Sequence, residues 1–344
     1  MRNPFIAGSW VRGENFFGRQ SLLREILEGD RDTLWVVGAR RLGKTSLLKE
    51  LEYRVQQSAQ TPWAALYWDL EGSTDARGLA DSLLGSIEDS EAYRRATGVA
   101  VEDVEGLLVT EMLTALVRKT VRSGWRFLLL IDEAEEFLAV LRHDAVVLPR
   151  LRRIFQRGPD LRVLLTSTKR LARVDQADVE TSPFLQGFSP PLYLTPLQPE
   201  DARALLTRGR FTNEEVLGIL ERTGSHPFLV QLIASRLFES RDIDATLAQV
   251  GSDEMVANFF SVDFQTLEPT ERFVLEEVAR EGTRSLREIA EAARLTDDDA
   301  EPILFGLRMM GYLTTDGTRY RVGNWFFERW LKRAVASRAD AARA

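Results

Sequence analysis

The chain has no cysteine among its 344 residues, which excludes disulfide frameworks, Cys-ligated zinc, iron–sulfur clusters and thiol catalysis. Its two histidines, His143 and His226, stand far apart in sequence, so a multi-histidine metal site is not expected. Long apolar runs are also missing. The longest unbroken stretch of large apolar side chains, Phe127 to Ile131, is far too short to cross a bilayer. The opening MRNPFIAGSW lacks a signal-peptide core. These absences predict a soluble, cytoplasmic protein that makes no use of a membrane. Lysine is scarce, 5 residues against 40 arginines, so a lysine in a special place carries information. The net charge of −7 gives no sign of bulk binding to a phosphate backbone, although one basic face is compatible with it.

What remains is the composition of a folded globular protein, 44% hydrophobic and 28% charged. At about 150 residues per domain, two or three domains are expected. Short buried-strand patterns occur at Thr33–Gly38, Pro62–Leu70, Arg126–Ile131, Leu161–Leu165 and Pro191–Leu194. Helical spacing separates them, over about Asp75–Glu88 and Val101–Val121 among others. That alternation predicts a five-stranded parallel sheet covered on both faces. After Pro196 the strands stop, and Glu200–Arg208, Asn213–Arg222 and Pro227–Glu239 read as a small helical unit. From about Ser261 the order is helix (Pro269–Arg280), helix (Leu286–Ala293), helix (Ala300–Met310) and a hairpin turning at Asp316-Gly317, the pattern of a winged helix-turn-helix. Trp325–Val335 reads as a last amphipathic helix.

Residues 38–45, GARRLGKT, fit G-x-x-x-x-G-K-[ST], with a buried strand before them and a helix after. Glycines let backbone N–H groups close around a phosphate, and the following helix points its positive end at the same anion. Lys44 supplies a compact charge to the β- and γ-phosphates and Thr45 a hydroxyl for Mg²⁺. The nucleotide-binding candidates are therefore Gly38, Ala39, Arg40, Arg41, Leu42, Gly43, Lys44, Thr45 and Ser46. A glycine-rich turn is the bland alternative, and it leaves the flanking strand and helix unexplained.

About 90 residues downstream, the strand FLLLI ends in Asp132-Glu133. With a phosphate loop upstream, Asp132 is the expected Mg²⁺ carboxylate and Glu133 the group that orients and deprotonates the attacking water. Asp132 could otherwise cap the helix that follows. Glu135 and Glu136 read as a solvated helix face. The Leu161–Leu165 strand ends in Thr166-Ser167-Thr168, and Thr168 is the candidate γ-phosphate sensor, with Lys169 and Arg170 secondary. An ordinary polar strand end accounts for that stretch equally well.

NPFIAGSWVRGENFFGRQSLL, GARRLGKTSLL, FLLLIDEAEEF, LLTSTKRL, LTPLQPEDARALL and RTGSHPFLVQ, in that order, resemble the STAND branch of AAA+ ATPases, in particular its archaeal-type and novel STAND group. The resemblance implies an AAA+ P-loop core over 1–196, a helical lid over 197–260 and a winged-helix domain over 261–344, with ATP or ADP held where the three meet. It implies that Gly18 and Arg19, within Phe17-Gly18-Arg19, lie near the adenine, although Gln20 stands where that motif has glutamate. Pro227 would pack on the base and occupies the place of the sensor arginine of related proteins, which suggests slow turnover and switch-like behaviour. His226 is expected to pack or cap in the lid. No arginine finger is assigned among Arg150, Arg152, Arg153 and Arg157.

Thr296-Asp297-Asp298-Asp299 and Glu301 open the would-be recognition helix, where phosphates would repel them. Arg319 and Arg321 on the wing could still touch a backbone. The main expectation is thus a Mg²⁺/ATP-dependent STAND-type switch in signalling or defence. It would act with a separate protein partner or by forming a homo-oligomer in one nucleotide state. The alternative is a DNA-binding AAA+ ATPase of origin-recognition or transposition type.

Overall fold

The computed structural model describes residues 2–177 and 183–341. The chain divides into two compact units, one of Trp10–Gly38 and Lys44–Leu192, the other of Met1–Ser9, Ala39–Gly43 and Tyr193–Ala344. Among the described residues no helix is long and apolar enough to cross a membrane.

The first unit is built on strands β1 (Thr33–Val37), β2 (Trp63–Asp69), β3 (Arg126–Asp132) and β4 (Leu161–Ser167); with β5 (Leu192–Tyr193), where the chain passes to the second unit, the sheet order is β2-β3-β4-β1-β5. The pairs β2/β3, β3/β4 and β4/β1 are parallel. Both faces are covered by helices, so β3 and β4 carry no polar alternation and are buried along nearly their whole length. The helices are α1 (Gln20–Glu28), α2 (Lys44–Gln57), α3 (Ala76–Asp89), α4 (Glu91–Thr97), α5 (Val109–Arg122), α6 (Phe137–His143), α7 (Val147–Phe155) and the short α8 (Val174–Ala177). On α2, Leu47, Leu48, Leu51 and Val55 form the buried stripe, each contributing about 1.5–3 kcal/mol of burial. The charged residue inside β4 has a structural reason. Arg162 donates to the carbonyls of Ile26 (2.7 Å) and Gly29 (2.5 Å) at the end of α1, and lies over the Trp63 ring, so a helix C-terminus receives a cation.

The second unit holds α9 (Pro199–Leu206), α10 (Asn213–Thr223), α11 (Pro227–Ser240), α12 (Ile243–Gly251) and α13 (Glu254–Gln265). After these come α14 (Pro269–Glu281), α15 (Leu286–Ala293), α16 (Asp297–Met309) and α17 (Trp325–Ala341). A three-stranded antiparallel sheet, β6 (Arg284–Ser285), β8 (Arg319–Val322) and β7 (Leu313–Thr315), follows α14–α16 in space. Phe260 and Phe264 of α13 pack on Phe327 and Trp330 of α17. Segments 197–260 and 261–344 therefore share one aromatic core. The N-terminal residues belong here too: the Asn3 amide donates to the Ser235 carbonyl, and the Ile6 N–H to the Gln231 side chain.

Three local expectations change. The Val101–Val121 helix is a 3₁₀ turn, Val101–Asp103, followed by α5, because Gly106 breaks the run with φ +76°. Helices α12 and α13, not expected, begin at Asp242 and Asp253, whose side chains accept the first-turn N–H groups. Helix α16 starts at Asp297 rather than Ala300, which places the three aspartates in its first turn.

Candidate functional site

The C-terminal ends of β1, β4 and β3 are joined edge to edge. Val37 pairs with Ser167, the Gly38 N–H donates to the Ser167 carbonyl (3.2 Å), and Thr166 Oγ1 donates to Asp132 Oδ1 at 2.5 Å. The phosphate-loop start and the acidic strand end thus lie on one edge of the same sheet, linked through β4.

Gly38 follows β1 directly, and Lys44 opens α2. Arg41 at φ +59° and Gly43 at φ +96° turn the loop, and only glycine takes the second value without strain. The buried Lys44 ammonium donates to the Gly38 carbonyl across the loop (3.2 Å). Thr45 lies in the first turn of α2. Ser46 is engaged in the fold, its hydroxyl accepting the Val11 N–H at 3.1 Å. Farther along α2, Glu50 accepts the Gly13 N–H. Residues Ala39–Gly43 group with the second unit. There the Arg40 N–H donates to Asp263 Oδ1 (3.0 Å) and the Arg41 guanidinium lies 4.7 Å from the centre of the Phe228 ring.

Asp132 is 1% exposed. Its Oδ1 accepts Thr166 Oγ1 and the Glu133 N–H, and its Oδ2 accepts the Tyr67 hydroxyl (3.1 Å). Glu133 itself sits at φ +50°, an uncommon conformation for a non-glycine residue and one that concentrates at functional positions. Thr168 directly follows β4 with an extended backbone, two residues after Thr166. Thr168 Oγ1 is buried with no hydrogen-bond partner among the described residues, while its N–H donates to both oxygens of Glu135. Ser167, between the two threonines, accepts the Trp35 indole N–H.

Two expectations are corrected here. Glu135 is not on a solvated face but holds the end of β4. Glu136 is half-buried beside it, and burial followed by the Glu135 charge raises its carboxyl above the usual range. Tyr67, Asp69, Thr166 and Glu135 carry contacts in this site that sequence reasoning did not single out. The tyrosine hydroxyl also lies 3.3 Å from Asp69 Oδ2. Burial, then Asp132 and Asp69, push the phenol far above its ordinary range, so it remains a proton donor.

The remaining candidates lie elsewhere. Gly18 (φ +75°) and Arg19 (φ +63°) form the turn that starts α1 in the first unit. In the second unit, Pro227 is the first residue of α11, His226 packs edge-on against Phe259, and no side-chain bond caps that helix. His226 is thus the N-cap residue of α11 without a side-chain cap bond, and its ring packs on Phe259.

Residues that could hold a divalent cation are the buried carboxylate of Asp132, whose two oxygens are oriented by Thr166 and Tyr67, and the hydroxyl of Thr45. No group of three or more metal-ligating side chains occurs among the described residues. Hard oxygen donors in that small number suit Mg²⁺, which keeps most of its waters.

A model of the AAA domain matches residues 27–174. No curated protein matches the chain in sequence. Among solved structures, the Walker-type ATPase of Pyrococcus abyssi superposes with a TM-score of 0.71 at 16% identity, covering 94% of this chain and 98% of that one. The Aeropyrum pernix ORC2 protein, solved in ADPNP–ADP complexes, superposes at 0.52 and 14% identity, again over 94% and 98%. The chain shares the fold of these two proteins over 94% of its length.

Proposed function

We propose that this chain binds ATP or ADP with Mg²⁺ and hydrolyses ATP slowly. Its phosphate loop, Gly38 to Ser46, would hold the phosphates, with Lys44 as the compact charge. Thr45 and Asp132 would hold the magnesium, which when bound neutralises phosphate charge in the transition state. Glu133 orients and deprotonates the attacking water, and Thr168 offers its hydroxyl to the γ-phosphate. Gly18, Arg19 and Pro227 would contact the base. The observation that supports the reading is the shared C-terminal end of β1, β4 and β3, where Gly38 bonds to Ser167 and Thr166 to Asp132, with a buried, unpartnered hydroxyl on Thr168 just beyond β4.

The AAA domain match and the ORC2 superposition favour a DNA-binding ATPase of origin-recognition type over a STAND signalling switch. On that reading segment 197–260 is the lid and 261–344 a winged helix that touches DNA. One observation keeps the switch as a second reading. Arg319 of the wing is already engaged by the Thr283 carbonyl and by Glu288, and Asp297, Asp298 and Asp299 are exposed at the start of α16. In the switch, the wing would face a protein partner or a second copy.

Phosphate release and ATP binding by Glu133→Gln test the enzymatic part: release falls by about 10²-fold or more while binding survives. Equal release by variant and parent would refute it. Salt-dependent DNA binding decides between the two outputs. Affinity that falls when Arg319 and Arg321 become alanine supports the first, and no binding at low salt leaves the switch.

A further inference from the structure

Strands β2 and β3 run parallel in a register that sets Asp69 opposite Asp132. Two neighbouring carboxylates at a strand end repel one another, and here one hydroxyl stands between them. Tyr67 Oη is 3.1 Å from Asp132 Oδ2 and 3.3 Å from Asp69 Oδ2. A phenol has one proton to donate, so it serves both carboxylates in turn.

The other oxygen of each carboxylate is held from elsewhere. Asp132 Oδ1 accepts Thr166 and the Glu133 N–H, and Asp69 Oδ1 accepts the Glu71 N–H at 3.0 Å. Tyr67 is therefore the sole described hydrogen-bond partner of the Asp132 oxygen that Thr166 does not hold. The ring itself is pinned by Lys49, whose Nζ lies 3.4 Å from its centre. Lys49 stands on α2, the helix that begins at the phosphate loop, and is one of only five lysines in the chain. An open cleft of about 950 Å³, lined by Arg12, Lys49, Glu52, Tyr67, Asp69 and Glu71 among others, gives water access to the Asp69 side of the pair.

We propose that Tyr67 is a positioning residue for the magnesium carboxylate: its hydroxyl fixes the direction of Asp132 and keeps Asp69 from displacing it. This rests on the reading of Asp132 as the magnesium residue. Partners that orient a metal-holding carboxylate are worth about 10–100-fold in metal affinity. Tyr67 shares the task with Thr166, so the lower end applies.

The test is a Mg²⁺ titration of the full chain with N-methylanthraniloyl-ATP, reading nucleotide fluorescence, for the parent and Tyr67→Phe. Phenylalanine keeps the ring and the Lys49 contact, and a thermal melt checks the fold. The half-point for the Mg²⁺-dependent gain in nucleotide affinity should rise about tenfold, while affinity in EDTA stays equal. Thr166→Val, which removes the hydroxyl bond on the opposite oxygen, should raise the same half-point. A Tyr67→Phe half-point within twofold of the parent overturns the inference. So does an equal loss of affinity in EDTA, which would make Tyr67 a general support of the fold. A parent protein with no Mg²⁺-dependent gain would refute the functional reading itself, and the inference with it.

Discussion

Removing the Asp263 carboxylate should loosen the phosphate loop and the C-terminal unit together. Asp263 is buried on α13, where Oδ1 accepts the Arg40 N–H (3.0 Å) and Oδ2 the Tyr312 hydroxyl (2.7 Å). Burial, then the Asp263 charge, raise the Tyr312 phenol well above its ordinary range, so that hydroxyl is a firm donor. A hydrogen bond to a charged acceptor is worth about 1.5–3 kcal/mol. In Asp263→Ala the Arg40 N–H can turn to water, since Arg40 is exposed, but the Tyr312 hydroxyl is left buried. A loss of about 3–4 kcal/mol follows, or about 10 °C in the midpoint of a unit of this size. Tyr312→Phe removes one bond to the carboxylate and leaves the loop anchored, and should cost about 1.5–3 kcal/mol. Calorimetry measures both costs, and hydrogen exchange at the Arg40 amide should accelerate in Asp263→Ala only. If Asp263→Ala melted within about 1 kcal/mol of the parent, or Tyr312→Phe freed the Arg40 amide equally, the anchoring role would be wrong.

Gly224 combines φ +55° with a close approach: a Cβ there would meet the Gly323 carbonyl oxygen. Gly224→Ala should therefore cost more than about 3 kcal/mol, read by urea denaturation, and a near-neutral result would refute the packing. Asp253 caps α13 through the Met255 and Val256 N–H groups, and its bond to Arg236 holds its carboxyl below the usual range. A depressed carboxyl stabilises above its unfolded value and loses that contribution as pH falls through its folded one. Asp253→Ala should thus be about 1 kcal/mol less stable at pH 7, with the gap closing below about pH 4. A gap unchanged at pH 3 would contradict the assignment.

The sheet was legible because β1 to β4 are apolar runs that are mostly buried, and the phosphate loop because its residue types are demanded by its chemistry. Asp132 followed from the strand that ends in it. Tyr67 and Asp69 were hidden for a physical reason. Their significance arises from the register of β2 against β3, which no spacing along the chain reveals. Thr166 and Thr168 stand two residues apart where β4 ends, and sequence cannot say which of the two turns to Asp132. Helices α12 and α13 were missed although each begins with an aspartate cap, because their apolar positions blend into the preceding and following segments. Residues 39–43 packing with α11 and α13 depends on contacts more than 180 positions away along the chain.

Everything functional depends on a triphosphate being held by residues 38–46. Isothermal titration of ATP with Mg²⁺ into the parent and Lys44→Ala addresses this most directly. One site per chain in the parent, weakened at least about 100-fold when the buried ammonium is lost, is the expected result. Equal affinity in the two proteins would contradict it.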